Sequence, residues 1–282
     1  MNRETYIHEG LVRHIEEFDK HYPNLKLFVI ALQGSQNYDL DIYSDEYKSD
    51  IDTKLLVIPS LEDVVMNKKP ISTTHICPNG EHIDIKDVRL YFDNFKKQNI
   101  NFLEILFSDY TIVNNDYQDL WAKLVADREL VAHYNVNQAL RCMAGMSMEK
   151  KKALCHPYPS LIEKIEKYGY DGKQLHHIIR MNAFIYEYAL GDTFEHCLKG
   201  WKTCNRNGWD YSDLLRDAKL NKFDLDTALD YARYFDIDTN NIKNYYLKEK
   251  DEINKNALNL LNDIQYKIIK RRFIKDIMKE VE

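Results

Sequence analysis

Two short apolar runs limit the first part of this chain more than any other feature. Lys26-Leu27-Phe28-Val29-Ile30-Ala31-Leu32 and Asp50-Ile51-Asp52-Thr53-Lys54-Leu55-Leu56-Val57-Ile58 are rich in β-branched and aromatic residues. Both are too short for core helices and read as buried strands. The first ends at Gly34-Ser35 and the second stops at Pro59, with a polar stretch rich in Asp and Tyr between them. Ahead of them, Ile7, Leu11, Ile15 and Phe18 recur at spacings of four and three, which predicts an amphipathic helix over about 4–20, closed by His21-Tyr22-Pro23-Asn24. A third strand is expected at Glu81–Lys86 after the turn signal Pro78-Asn79-Gly80, then helices over about 87–98 and 101–107. Beyond Asn115 only helical periodicity is found. The expectation is an α+β chain, with a small mixed-sheet domain over 1–115 and an all-helical domain over 116–282.

Charge divides along the same line. Residues 1–115 carry 12 Lys/Arg against 19 Asp/Glu, and residues 116–282 carry 27 against 26. An acidic first part suits a site that concentrates divalent cations, and argues against that part being the main nucleic-acid platform by itself. The five cysteines (Cys77, Cys142, Cys155, Cys197, Cys204) form no Cys-x-x-Cys pair, so buried thiols are expected rather than a disulfide framework or zinc module. No apolar run reaches the roughly 18–20 residues that span a bilayer, and the start has no signal-peptide pattern. No membrane partner and a cytoplasmic location are therefore expected.

The chemistry concentrates in Gly34-Ser35, fourteen intervening residues, and Asp50-Ile51-Asp52. A strand that ends in Gly-Ser can turn sharply into a helix whose free N–H groups hold phosphate. Gly34 permits close approach and Ser35 adds a hydroxyl. Asp50 and Asp52, two apart at a strand start, point to one face, and their repulsion is relieved by a cation such as Mg²⁺ shared with substrate phosphates. Asp84 on a neighbouring strand is the leading third carboxylate of a two-metal site, with Asp87 in reserve. Asp-x-Asp alone is weak, since Asp224-Leu225-Asp226 and Asp236-Ile237-Asp238 also occur; these read as helix caps and solvated faces.

Gly34-Ser35, Tyr38 and Ser49-Asp50-Ile51-Asp52 resemble the signature of DNA polymerase β superfamily nucleotidyltransferases, and within it the YcgL-like minimal nucleotidyltransferases of bacteria and phages. The segments 84–92, 99–107 and 173–180 are similar to later segments of that branch. The interval between Ser35 and Asp50 is long for the pattern, through Asp41–Lys48. The resemblance implies transfer of a nucleoside monophosphate from an NTP to a hydroxyl acceptor (an RNA end, a protein or a small molecule) with loss of pyrophosphate. Asp50, Asp52 and Asp84 would hold Mg²⁺ or Mn²⁺, and Gly34 and Ser35 the β/γ-phosphates. A nucleotide or nucleic-acid sensor that kept the fold without catalysis is the alternative.

A second constellation lies in the helical half. From Lys173, helical geometry puts His176, His177 and Arg180 on one stripe, with Leu175, Ile178, Ile179 and Ile185 opposite. Two readings are open. The stripe is an ordinary solvated face, or Lys173, His177 and Arg180 face a phosphate across an interdomain cleft. Lys150-Lys151-Lys152 reads as a solvated turn, and 267–275 as a helix with a packed side and a basic outer face.

Overall fold

The computed structural model describes residues 2–45, 48–202 and 211–281. In chain order the elements of its first part are α1 (Arg3–His21), β1 (Lys26–Gln33), a 3₁₀ turn (Ser35–Tyr38), β2 (Asp52–Ile58), α2 (Leu61–Val65), β3 (Ser72–Ile76), β4 (His82–Asp87), α3 (Val88–Lys96), α4 (Ile100–Leu103), β5 (Thr111–Val113), α5 (Gln118–Ala126) and α6 (Arg128–Ala132). Helices α7 (Val136–Ala153), α8 (Ile162–Tyr168), α9 (Gly172–Leu190), α10 (Phe194–Leu198), α11 (Tyr211–Lys219), α12 (Leu225–Tyr246) and α13 (Lys255–Val281) follow. The chain is α+β, with strands only in the first part among the described residues. No helix among them is long and apolar enough to cross a membrane.

The sheet has five strands in the order β3-β4-β2-β1-β5, mixed in direction: β2 and β4 are parallel and the other pairs antiparallel. Strands β3 and β5 were not expected from the sequence. β3 is an edge strand whose residues are almost all exposed, so no apolar alternation marks it, and β5 is three residues long. α1 starts at the cap Asn2, whose side chain accepts from the Thr5 N–H. Its apolar stripe packs on one sheet face, where Phe18 meets Ile30, Leu55, Val57, Ile83 and Ile85, and Ile7 and Leu11 meet Leu32 and Ile51. A Cβ on Gly10 would come within 2.8 Å of Ile51 Cγ2, so only glycine lets this helix lie so near the residue between the two aspartates. Over the other face, Phe102 of α4 lies against the Lys54 and Lys86 ammonium groups.

The chain divides into two compact units, Met1–Tyr134 together with Ile253–Glu282, and Asn135–Glu252. The expected boundary near 115 differs at both ends. α5, α6 and α13 join the sheet-bearing unit, where Arg271 pairs with Asp119 and Lys275 with Asp116. Ala257, Leu261, Ile264 and Ile268 of α13 are buried; of the expected packed side over 267–275, Ile268 alone is buried and Ile274 is exposed. Helical periodicity identifies a buried side but not the core it joins.

Candidate active site

The site is built by strand register. β1 pairs antiparallel with β2 so that Gln33 lies opposite Asp52. Gly34-Ser35 therefore leaves the sheet beside the point where Asp50-Ile51-Asp52 enters it, although fourteen residues separate the two motifs. Gly34 has φ 105° and ψ −157°, a region open essentially to glycine alone. A Cβ there would meet only Gln36 Oε1, at 3.7 Å, so the demand is on backbone conformation and not on space. The chain then turns through Ser35–Tyr38, where the buried Gln36 amide donates to the Asp50 carbonyl at 2.7 Å. Asn37 donates to the Leu32 carbonyl and accepts from Ser108 Oγ. Arg3 grips Asp41 through two hydrogen bonds and donates to the Gln36 carbonyl. The long loop closes on itself through the Tyr43–Lys48 bridge and Ser49, whose N–H donates to the Ile42 carbonyl and whose Oγ accepts from the Ile42 N–H.

The strand was expected to begin at Asp50, but it begins at Asp52. Asp50 is exposed, Ile51 is buried, and the Asp52 side chain is 37% exposed. Asp52 Oδ1 accepts from the His82 N–H at 3.1 Å and lies 3.3 Å from His82 Nδ1. The residue level with Asp52 on the neighbouring strand is thus a histidine.

Asp84 sits two residues farther along, level with Lys54 and on the same face as Asp52. Its carboxylate binds Lys54 Nζ at 2.9 Å and also binds Lys86. Burial would raise its pKa, but the two ammonium groups outweigh that and hold it below the ordinary carboxylate range. Among the described residues, Asp50, Asp52 and Asp84 do not form a three-ligand group with donor atoms within 4.8 Å. The structure sets Asp84 between two lysines, because β4 runs parallel to β2 with Thr53 opposite Ile83. Asp87 is level with Val57, five residues from the Asp52 level, or about 16 Å at ~3.3 Å per residue. It caps α3 and binds the Arg89 guanidinium, which is a structural role.

Sequence reasoning missed Glu81. It is buried, and its Oε1 accepts from the Ile51 N–H at 3.2 Å. Its Oε2 accepts from Arg13 at 2.8 Å and Asn79 at 2.7 Å, and faces His14 Nε2 at 3.2 Å. The other His14 nitrogen lies 2.8 Å from Thr53 Oγ. Burial opposes the charge, but the hydrogen bonds from His14, Arg13, Asn79 and Ile51 lower the pKa to about 2. Glu81 thereby fixes the backbone between the two candidate metal ligands. Its place directly after Pro78-Asn79-Gly80 was the only signal available.

Lys173, His177 and Arg180 lie on α9, in the second unit. The expected stripe is not a solvated face. Lys173 is exposed and His177 half-buried, but His176 and Arg180 are only 3% and 4% exposed. His176 Nδ1 lies 3.0 Å from the Leu215 carbonyl. Burial first, then the nearby Lys219 and Arg180, lowers the His176 pKa to about 3, and burial with His176 and Arg180 lowers that of His177. α9 is packed by α7, α11 and α12 on several sides, so its polar residues lie inside as well as its apolar ones. Lys150, in the last turn of α7, is shifted down by burial and then by Lys173.

Asp224 caps α12 as expected, whereas Asp236 is not on a solvated face. It is buried and accepts from Ser147 and Lys151. Cys77 and Cys197 are buried thiols outside any disulfide, Cys142 is half-buried, Cys155 is exposed, and Cys204 lies outside the described residues.

No protein-family model matches this chain, and no curated protein matches it. Among solved structures, the chain is similar to a nucleotidyltransferase-like protein from Exiguobacterium sibiricum 255-15, with 14% identity over 84% of this chain and 74% of that one and a TM-score of 0.30. A likeness so remote carries no functional weight, so the functional reading rests on the chain's own residues.

Proposed function

We propose that this chain is a metal-dependent nucleotidyltransferase that moves a nucleoside monophosphate from an NTP to a hydroxyl acceptor, releasing pyrophosphate. The observation that carries the reading is the Gln33–Asp52 register, with the Gln36 amide on the Asp50 carbonyl, which brings the Gly34-Ser35 turn beside the Asp50-Ile51-Asp52 segment. Asp50 and Asp52 are acceptor-only oxygen donors with solvent access, the donor type that Mg²⁺ or Mn²⁺ takes alongside substrate phosphates. A cation bound there would neutralise triphosphate charge and favour the deprotonated acceptor hydroxyl. The chain's own part is positioning. Gly34 and Ser35 would hold the β/γ-phosphates, and Glu81 would keep the Asp50–Asp52 backbone in place. Asp84, kept ionised by Lys54 and Lys86, is the proposed third carboxylate. Lys173, His177 and Arg180 remain proposed nucleotide contacts, with Lys173 the exposed member.

One observation favours a second reading, a nucleotide binder without catalysis: Asp84 is already engaged by two ammonium groups. Incubation with each labelled NTP, Mg²⁺ or Mn²⁺ and a mixed RNA and protein acceptor pool separates the two. Label transfer that disappears in Asp50→Asn and Asp52→Asn supports the enzyme. Saturable NTP binding without transfer to any acceptor supports the binder.

A further inference from the structure

Glu17 and His21 are four residues apart on α1 and so project from one face of its last turns. His75 lies on β3, at the edge of the sheet. Glu17 Oε2 is 3.3 Å from His21 Nε2 and 3.5 Å from His75 Nε2, and donor atoms of all three residues lie within 4.8 Å of one another. The two imidazole rings are 4.7 Å apart.

Three features distinguish this group from a chance surface pair. The first is donor chemistry: two imidazoles and one carboxylate suit a borderline divalent ion such as Zn²⁺ and not Mg²⁺. The second is size. Ligands about 2.1 Å from a tetrahedral zinc stand roughly 3.4 Å from each other, and the two Glu17–imidazole separations here are 3.3 and 3.5 Å. The third is a weakly met need, since His75 Nε2 is buried and its one near partner among the described residues is Glu17 Oε2, at a long 3.5 Å. The framework around the group is rigid. Phe18, between Glu17 and His21 in sequence, and Cys77, two residues after His75, belong to one buried cluster. Tyr22 stacks on Phe18 and meets the His75 ring edge-on. Lys20 approaches the other carboxylate oxygen, Oε1, and leaves Oε2 toward the imidazoles.

We propose that Glu17, His21 and His75 form a Zn²⁺ site that clasps the end of α1 to the edge strand β3, independent of the candidate active site. Three protein donors leave a coordination position for water. The side chains of Glu17 and His75 are 22% and 15% exposed and that of His21 is 43% exposed, so the ion would enter past His21. Pinning β3 would also shield an edge that carries the exposed Ile76.

The test uses the full chain. Zn²⁺ is titrated by competition with a chromophoric chelator, and Co²⁺ is added separately to read its visible absorption. We expect one equivalent of Zn²⁺ bound at micromolar concentration or tighter, and Co²⁺ bands of four- or five-coordinate intensity. Glu17→Gln, His21→Ala and His75→Ala, each checked for folding by circular dichroism, should weaken Zn²⁺ at least tenfold and lose the Co²⁺ bands. The Asp50→Asn/Asp52→Asn double variant should keep both. Absence of saturable Zn²⁺ binding, Co²⁺ bands of octahedral weakness in the unmodified chain, unchanged affinity in folded His75→Ala, or loss confined to the aspartate variant would each overturn the proposal. Because the unmodified chain alone gives the cobalt spectrum, a variant that fails to fold does not block the test.

Discussion

Replacing Glu81 by Gln keeps its shape and removes its charge, and the structure sets the size of the consequence. The carboxyl accepts four hydrogen bonds or close N–H contacts in a buried position, and its pKa lies at about 2 instead of the ordinary 4.5. That gap corresponds to about 3 kcal/mol at ~1.4 kcal/mol per tenfold change in proton affinity. A carboxyl whose folded pKa is depressed contributes stability that is full above its unfolded value and is lost as pH falls toward the folded one. The contribution is therefore complete at pH 7 and declines from about pH 5, and less than half remains at pH 3. Urea unfolding of Glu81→Gln should show a loss of about 2–3 kcal/mol at pH 7 and about 1 kcal/mol at pH 3. The melting temperature should fall by roughly 5–10 °C at pH 7. Because the Ile51 N–H loses a charged acceptor, the Asp50–Asp52 backbone should loosen, and metal-dependent nucleotide transfer should fall more than NTP binding. A loss of equal size at both pH values, or a pH 7 melt within a degree of the parent, would refute the argument that the ionised carboxylate holds this junction.

Asp87→Asn should destabilise the protein by about 1–2 kcal/mol, through its cap and the Arg89 pair, and leave transfer intact per folded molecule, whereas Asp84→Asn should abolish transfer; urea melts beside a labelled-NTP assay read both, and full transfer by Asp84→Asn removes it from the site. Gly34→Ala should cost about 1 kcal/mol or more, because alanine is strained at φ 105°, and should weaken NTP binding measured by calorimetry; a neutral effect on both counts against the phosphate-turn role. Arg180→Ala should lower the melting temperature by several degrees because the side chain is buried, while Lys173→Ala should leave it unchanged and weaken NTP binding about tenfold, the ordinary loss for a charged phosphate contact; unchanged NTP binding in Lys173→Ala returns that residue to ordinary surface.

Local pattern alone determined much of this protein. The apolar runs of β1 and β2 and the stripe at Ile7, Leu11, Ile15 and Phe18 specify their own elements, since burial of one face is a property of nearby residues. The glycine-only turn at Gly34 was legible for the same reason, because it is a short-range fact; the expected strand start at Asp50 was not met, since β2 begins at Asp52. What sits beside them was not legible, because it depends on register between strands distant in sequence. The β2–β4 pairing put His82 level with Asp52 and Asp84 between Lys54 and Lys86, and a shift of two residues would have exchanged these neighbours. Glu81 could not be recognised as an anchor until α1 brought Arg13 and His14 to it. The cationic stripe of α9 shows the limit most directly. A helical wheel places Arg180 opposite Ile178 and Ile179, yet all three are buried. A wheel has one solvent side, and packing by α7, α11 and α12 leaves α9 with almost none. The unit boundary was hidden for a related reason: periodicity shows that α13 has a face to bury, and only the tertiary fold decided that it is buried in the sheet-bearing unit, more than 110 residues after α6.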